Sequence, residues 1–351
     1  MSNKSPKILV VATSRKTLGG ITSVIKAHET GAQWNKYHCK WIETHIDGSA
    51  GKKLWYFLFS LMQFIFLIPF YNLAHIHLSE PSSAKRKSFY FKIAKLWRKK
   101  IIIHFHAFSP DSTINSRYRQ LYKKLFSEAD LVITLSNQWK IWIEEILDIK
   151  DNVTALYNPC QPIQTHHLDL KGNIVLFAGA LNRRKGFRDL ILSFASLASK
   201  YADWTLVFAG NGEIDEGKRL AKELGIETQT VFLGWVSGDA KDKVFKEASI
   251  FCLPSYAEGF PMAVLEAWAY GLPVLTTPVG GLPDVLEDGK NALVFQPGDT
   301  RHLSNQLERL ILDDKLRNAI SKESLTLSQT VFNVENINQQ LTDIYKKLLQ
   351  P

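Results

Sequence analysis

SIFCLPSYAEGFPMAVLEAWAYGLPVLTT, residues 249–277, is the stretch from which the fold can be read. SIFCLP at 249–254 is a short apolar run closed by a proline, the pattern of a buried strand. A Gly-Phe-Pro loop follows, and a helix is predicted from near Met262. PVLTT at 273–277 reads as a second strand. Strand, helix and strand in so short a stretch make a parallel βαβ unit.

The same alternation extends on both sides. NIVLFAG (173–179), WTLVFAG (204–210) and TVFLGW (230–235) precede it, with helices expected from about 186 and 214, and ALVF (292–295) follows. Nearer the start, KILVVAT (Lys7–Thr13), AHIHL (74–78), KIIIHFHAF (100–108), LVITLS (131–136) and VTALYN (153–158) carry the strand signal. Helical segments lie between them at 85–99, 116–127 and 137–147. Two Rossmann-like, doubly wound α/β domains are therefore expected, at residues 1–165 and 170–330. The break falls near Asn158–Lys171, where Pro159 and Pro162 interrupt both patterns. A chain of 351 residues suits two domains. A helix within the tail, 334–351, sets Ile337, Leu341, Ile344, Tyr345, Leu348 and Leu349 on one face. It is expected to cross back and pack on the first domain.

Hydrophobic residues at 45% and charged residues at 22% exclude a disordered chain. Three cysteines, Cys39, Cys160 and Cys252, form no CxxC pair, so neither a zinc knuckle nor a disulfide framework is indicated. The net charge of +9 is uneven: residues 1–165 hold 23 Lys/Arg against 11 Asp/Glu, and residues 166–351 hold 20 against 23. The densest basic stretch is Lys85, Arg86, Lys87, Lys92, Lys95, Arg98, Lys99 and Lys100. Such a field favours anionic partners, or is simply a solvated helix face. The start has no signal-peptide pattern. Residues 54–71 are apolar, interrupted by Gln63 and Pro69. Periodicity leaves three readings open: a buried helix, a membrane span, or a helix partly sunk in a membrane surface.

Doubly wound sheets bind ligands beyond the carboxyl ends of their strands. If the two sets of ends face each other, the site is a cleft between the domains. Gly19 and Gly20 follow the first strand and open a helix, where backbone can approach an anion. Arg183, Arg184 and Lys185 follow the strand at 173–179, well placed for a diphosphate. Glu258 and Glu266 are eight positions apart and flank the helix start near Met262. Amides between two carboxylates suit phosphate oxygens with hydroxyl groups on either side.

The run EGFPMAVLEAWAYGLPVLTTPVGGLPDVLEDGKNALVFQPGD resembles the retaining family-4 glycosyltransferases of GT-B fold. The family's E-x7-E appears as Glu258 and Glu266, followed by Ala267–Val274, Val279-Gly280-Gly281 and Pro297-Gly298-Asp299. Gly19-Gly20, the His75-x-His77 pair, His106, Phe177–Gly179, Phe208–Gly210 with Gly212, and Phe232-Leu233-Gly234 also fit the family pattern. One departure stands out: Ala180 occupies the place of the family's phosphate-binding arginine, while Lys185 matches the family lysine. Arg183 or Arg184 is the candidate replacement.

The resemblance implies transfer of a sugar, with retention, from a nucleotide-diphosphate donor such as a UDP- or GDP-sugar. Lys185, a neighbouring arginine and the amides near Met262 and Ala263 would stabilise the leaving diphosphate. Glu266 would bind ribose. Glu258 with Gly259, Phe260 and Pro261 would orient the donor sugar. Gly234 would lie beside the base, and His106 would contact the sugar from the first domain. No Asp-x-Asp triplet calls for a metal, and no cofactor is expected. The acceptor expected is a sugar or lipid-linked saccharide in exopolysaccharide, capsule or lipopolysaccharide assembly. The protein is then expected to be peripheral on anionic lipid at the cytoplasmic face. A nucleotide-sugar epimerase or a glycogen- or sucrose-synthase-like enzyme would share this architecture. A nucleic-acid binder would explain the basic half, but no nucleic-acid motif is present.

Overall fold

The computed structural model describes residues 5–163 and 172–350. In chain order the first elements are β1 (Ile8–Ala12), α1 (Gly20–Glu29), α2 (Ala32–Lys36), β2 (Lys40–Glu43), α3 (Ala50–Leu67), β3 (Leu73–Leu78), α4 (Pro81–Leu96), β4 (Lys100–Phe105), α5 (Arg119–Ser127), β5 (Leu131–Thr134), α6 (Asn137–Leu147) and β6 (Val153–Ala155). The second run is β7 (Ile174–Ala178), α7 (Phe187–Ala198), β8 (Thr205–Ala209), α8 (Ile214–Glu223), β9 (Thr230–Gly234), α9 (Gly238–Glu247), β10 (Ile250–Leu253), α10 (Met262–Ala269), β11 (Val274–Thr276), β12 (Leu293–Val294), α11 (Thr300–Leu312) and α12 (Asp314–Gln329). Helix α13 (Val334–Leu349) ends the order.

The chain divides into two units, Met1–Pro159 with Phe332–Pro351, and Cys160–Val331. Part of the expected break, at 164–171, lies outside the described residues. Each unit holds one six-stranded sheet whose paired strands are all parallel, as the alternation of strands and helices requires.

In the first unit the strand order is β2-β1-β3-β4-β5-β6. Both sheet faces are covered, so β1 is buried throughout. Ile8, Val10 and Ala12 face a cluster with Ile25 of α1 and Ile337, Leu341 and Tyr345 of α13. Leu9 and Val11 face the opposite cluster, with Phe64 of α3, Tyr90 of α4, Phe126 of α5 and Trp139 of α6. The tail helix is thus part of the first unit's core. In the second unit the order β12-β11-β10-β7-β8-β9 reverses direction between β7 and β10. That switch point is where an open sheet leaves room for a ligand.

Helix α3 departs from the buried-helix reading. Ser60 and Phe64 are buried, with Phe57, Leu61 and Leu67 packed partly against the core. The remaining apolar side chains face solvent, among them Trp55, Phe59 and Phe66, each more than 60% exposed. Phe70, Phe89, Leu96 and Trp97 are exposed as well. With the turn that follows it, Ala50–Phe70 is long and apolar enough to cross a membrane by length and composition. The basic stretch divides: Lys87 is fully buried, whereas Lys85, Lys92, Lys95 and Arg98 are exposed.

Candidate active site

The loop after β7 is shaped by two local devices. Asn182 accepts from the Lys185 amide and caps a single 3₁₀ turn, Arg183–Lys185. Gly186 follows with φ of 69°, and a Cβ there would stand 2.0 Å from the Pro254 carbonyl oxygen. Glycine therefore lets this loop lie against the end of β10.

The contact of the two loops brings charges together. Lys185 Nζ lies 2.5 Å from Glu258 Oε1, and Arg184 Nη1 lies 3.3 Å from Glu258 Oε2. Arg184 also donates to the Ala257 carbonyl, and Ser255 Oγ donates to Glu258 Oε1. Glu258 is buried. Burial raises its pKa, but Lys185 and Arg184, with the hydrogen bonds, outweigh that and hold it below the ordinary value. It is therefore an anion with its lone pairs engaged. Arg183 is exposed and forms no ion pair among the described residues. Ala180, in place of the family arginine, is exposed on the same loop.

The loop after β11 supports Glu258 from the other side. Gly280 has φ of 64°, and a Cβ there would meet the Glu258 carbonyl at 1.9 Å. The Gly281 amide donates to the Gly259 carbonyl. Gly259, Phe260 and Pro261 are buried in this loop and lead into α10, whose N-terminus has no side-chain cap. Met262 and Ala263 form its first turn. A helix start of this kind attracts an anion.

Glu266 is the fifth residue of α10 and is held apart from Glu258. Its Oε1 receives Lys241 Nζ of α9 at 2.7 Å. Gly234 ends β9 with φ of 69°, and the next amide, Trp235, donates to Asn211 Oδ1. Lys241, Ser255 and Asn182 were not singled out from sequence. Asn182 carried a readable sign, a capping residue ahead of a short basic turn. Lys241 carried none, being 25 positions from its partner.

Gly19, Gly20 and His106 lie in the first unit. Gly19 has φ of 151°, precedes α1 and, like Gly20, is exposed. His106, just past β4, is half-buried and its Nε2 lies 2.9 Å from His77 Nδ1. His77 belongs to a seam of rings on one face of the sheet. His75 and His104 stack at 5.4 Å and 6°, and His75 and His77 at 4.4 Å and 25°. His75 Nδ1 meets Tyr345 Oη of α13 at 2.7 Å, and His28 Nδ1 meets Asn338 Oδ1 at 2.8 Å. Burial pushes His75 down to about 3 and His28 to about 4. Burial and the neighbouring histidines also push His77 and His104 well down. Ligand atoms of His75, His77 and His104 lie within 4.8 Å of one another. The rings lie nearly face to face, however, so lone pairs in their planes run side by side rather than to one point.

Residues 163–325 match the family described as glycosyl transferases group 1. An uncharacterized glycosyltransferase of Haemophilus influenzae is 30% identical over 238 residues, covering 66% of each chain. The lipopolysaccharide core biosynthesis glycosyltransferase LpsE of Rhizobium meliloti is 31% identical over 177 residues, covering 50% of this chain and 49% of that one. The alignments thus span about two thirds of one curated relative and half of the other. Among solved structures, Anabaena Alr3699/HepE in complex with UDP-glucose superposes with a TM-score of 0.78 at 19% identity, covering 97% of this chain and 99% of that one. At that identity the likeness concerns the fold, and the fold is GT-B.

Proposed function

Because this chain belongs, through residues 163–325, to the group 1 glycosyl transferases, we propose that it moves a sugar from a nucleotide-diphosphate donor to an acceptor, with retention at the anomeric carbon. The observation that carries this reading is the meeting of Lys185 and Glu258 at the β7–β10 switch point, beside the uncapped start of α10.

Departure of a nucleoside diphosphate builds negative charge on phosphate and positive charge on the sugar ring. Lys185 and the first-turn amides of α10 meet the first charge. Arg183, which forms no ion pair among the described residues, is the cation in place of the family arginine lost at Ala180. Glu258 holds Lys185 and Arg184 in position, and the Gly259–Pro261 backbone lines the donor sugar. Glu266 accepts from ribose hydroxyls, with Lys241 setting its rotamer.

The acceptor is a lipid-linked saccharide in cell-surface polysaccharide assembly. Two observations support that reading. One curated relative is named for lipopolysaccharide core biosynthesis, and α3 turns an apolar face to solvent above a basic unit. An apolar helix face with cations around it seats a protein reversibly on anionic lipid at the cytoplasmic face. The test is nucleotide release from a panel of UDP-, GDP- and ADP-sugars, with and without lipid-linked saccharide acceptors. Acceptor-stimulated release with a glycosidic product is expected. Donor binding without release would overturn transfer, and a changed donor sugar without a glycosidic product would favour an epimerase.

A further inference from the structure

Tyr256, on the loop after β10, holds the segment that follows β7 at two points. Its amide donates to the Arg184 carbonyl at 2.7 Å, and its phenol donates to Asp189 Oδ2 at 2.8 Å. Asp189 stands in the first turn of α7, where a carboxylate suits the helix start. The Tyr256 ring is otherwise exposed. Gly298 leaves room beside the phenol oxygen, since a Cβ there would stand 3.2 Å from it.

The charges of residues 183–189 show what the phenol does. Four cations, Arg183, Arg184, Lys185 and Arg188, share this segment with one acid, Asp189. Arg184 and Lys185 pair with Glu258, and Arg188 pairs with Glu216 at 3.1 Å and Glu213 at 3.4 Å. Arg183 and Asp189 form no ion pair among the described residues. Both charges nevertheless bear on the Tyr256 phenol. The bond to Asp189, with burial and the carboxylate charge, raises its pKa, and the Arg183 charge opposes them. An unpaired cation and an unpaired acid around one hydroxyl attract each other. Here the hydroxyl has taken the acid, and the cation is left over.

We propose that Tyr256 is a positioning residue: by donating to Asp189 it keeps that carboxylate from Arg183 and reserves the guanidinium for the donor's diphosphate. This rests on the sugar-transfer reading and deepens it. Tyr256 touches neither phosphate nor sugar. Its hydroxyl satisfies Asp189 without adding charge, so the segment keeps one cation over. That cation stands two positions before Lys185, on the loop where Ala180 offers none. Without the hydroxyl, Asp189 turns to Arg183, and the diphosphate must compete with an acid of the chain itself for the same guanidinium.

The test is calorimetric titration of the full chain with UDP and with GDP, in wild type and four variants. Tyr256→Phe keeps the amide contact and removes only the phenol bond. It is expected to weaken the bound nucleotide about three- to fivefold, the scale of competition by an exposed ion pair. Tyr256→Phe with Asp189→Asn lacks the same bond but also the competing charge, and is expected to recover the wild-type affinity. Arg183→Met is expected to weaken binding about tenfold or more. Adding Tyr256→Phe to Arg183→Met is expected to cost nothing further. Tyr256 lies at the surface, so Tm is expected to stay level in Tyr256→Phe. A loss in Tyr256→Phe that Asp189→Asn does not restore would make the bond merely structural and overturn the inference. Unchanged affinity in Tyr256→Phe, or a further loss on top of Arg183→Met, overturns it as well. If neither nucleotide binds the wild type, the donor reading fails too; if one binds and Tyr256→Phe is level, this inference fails alone.

Discussion

Lys185 donates to Glu258 across 2.5 Å from a loop 73 positions away in sequence, and both side chains are largely out of solvent. Removing one member leaves the other buried and uncompensated. Lys185→Met and Glu258→Leu should each destabilise the protein by about 3 kcal/mol in urea unfolding. The double substitution should cost less than the sum. Strict additivity would show that the two charges do not support each other.

Glu266 is bonded to Lys241, but the pair is partly open to solvent. Lys241→Met should therefore change stability by less than about 1 kcal/mol. Glu266→Ala should weaken donor-nucleotide binding by about 1.5–3 kcal/mol through lost charged hydrogen bonds. Calorimetric titration with UDP measures this, and unchanged affinity in a folded Glu266→Ala protein would remove the residue from the donor site.

The buried histidines make the first unit sensitive to acid. His28 at about 4 and His75 at about 3 lie below the ordinary 6.5. Below pH 6.5 the unfolded chain takes up protons that the folded chain refuses. Stability is thus complete above 6.5 and is lost as pH falls towards the folded values. The slope is on the order of 1.4 kcal/mol per pH unit for each residue. Urea midpoints that stay level between about pH 7.5 and 5.5 would contradict this.

Helix α13 buries Ile337, Leu341 and Tyr345 in the first unit's core. Each large apolar side chain is worth about 1.5–3 kcal/mol when buried. Deleting residues 334–351 should therefore unfold that unit while leaving the second cooperative. Hydrogen exchange resolved by segment reads the difference: fast exchange in β1 and β4 with protection kept in β7 and β8. Full protection of β1 in the truncated chain would refute it.

The exposed apolar face of α3 gives the membrane prediction. The protein should co-sediment with anionic vesicles at low salt and be released as salt rises, because surface charges are screened. Phe59→Glu with Phe66→Glu should abolish retention without changing thermal stability, since both side chains face solvent. Retention through an alkaline wash would instead mark α3 as spanning the membrane.

The two sheets were legible because short apolar runs between helical segments are a local property of sequence. β2 carries no strand signal because KWIE is a short edge strand with only two apolar residues between the charged Lys40 and Glu43. α9 was missed because GDAKDKVFKE buries only Phe245 and so shows no apolar period. The E-x7-E spacing marks both carboxylates and the basic run after β7 marks Arg184 and Lys185, whereas Lys241, the partner of Glu266, comes from α9 and carries no local mark. The basic stretch was read as one surface. Helical rotation instead turns Lys87 into the protein while Lys85 and Lys92 stay outside.

The return of α13 to the first unit has a consequence for synthesis. The second unit is inserted between β6 and the helix that completes the sheet β6 belongs to. A ribosome adding about 5–20 residues per second needs about 10–30 seconds to make that insertion. Throughout that interval Ile8, Val10, Trp41 and Ile102 lack the cover of Ile337, Leu341 and Tyr345. The half translated first is thus the half that closes last, and the later-made unit can mature beside an uncovered sheet.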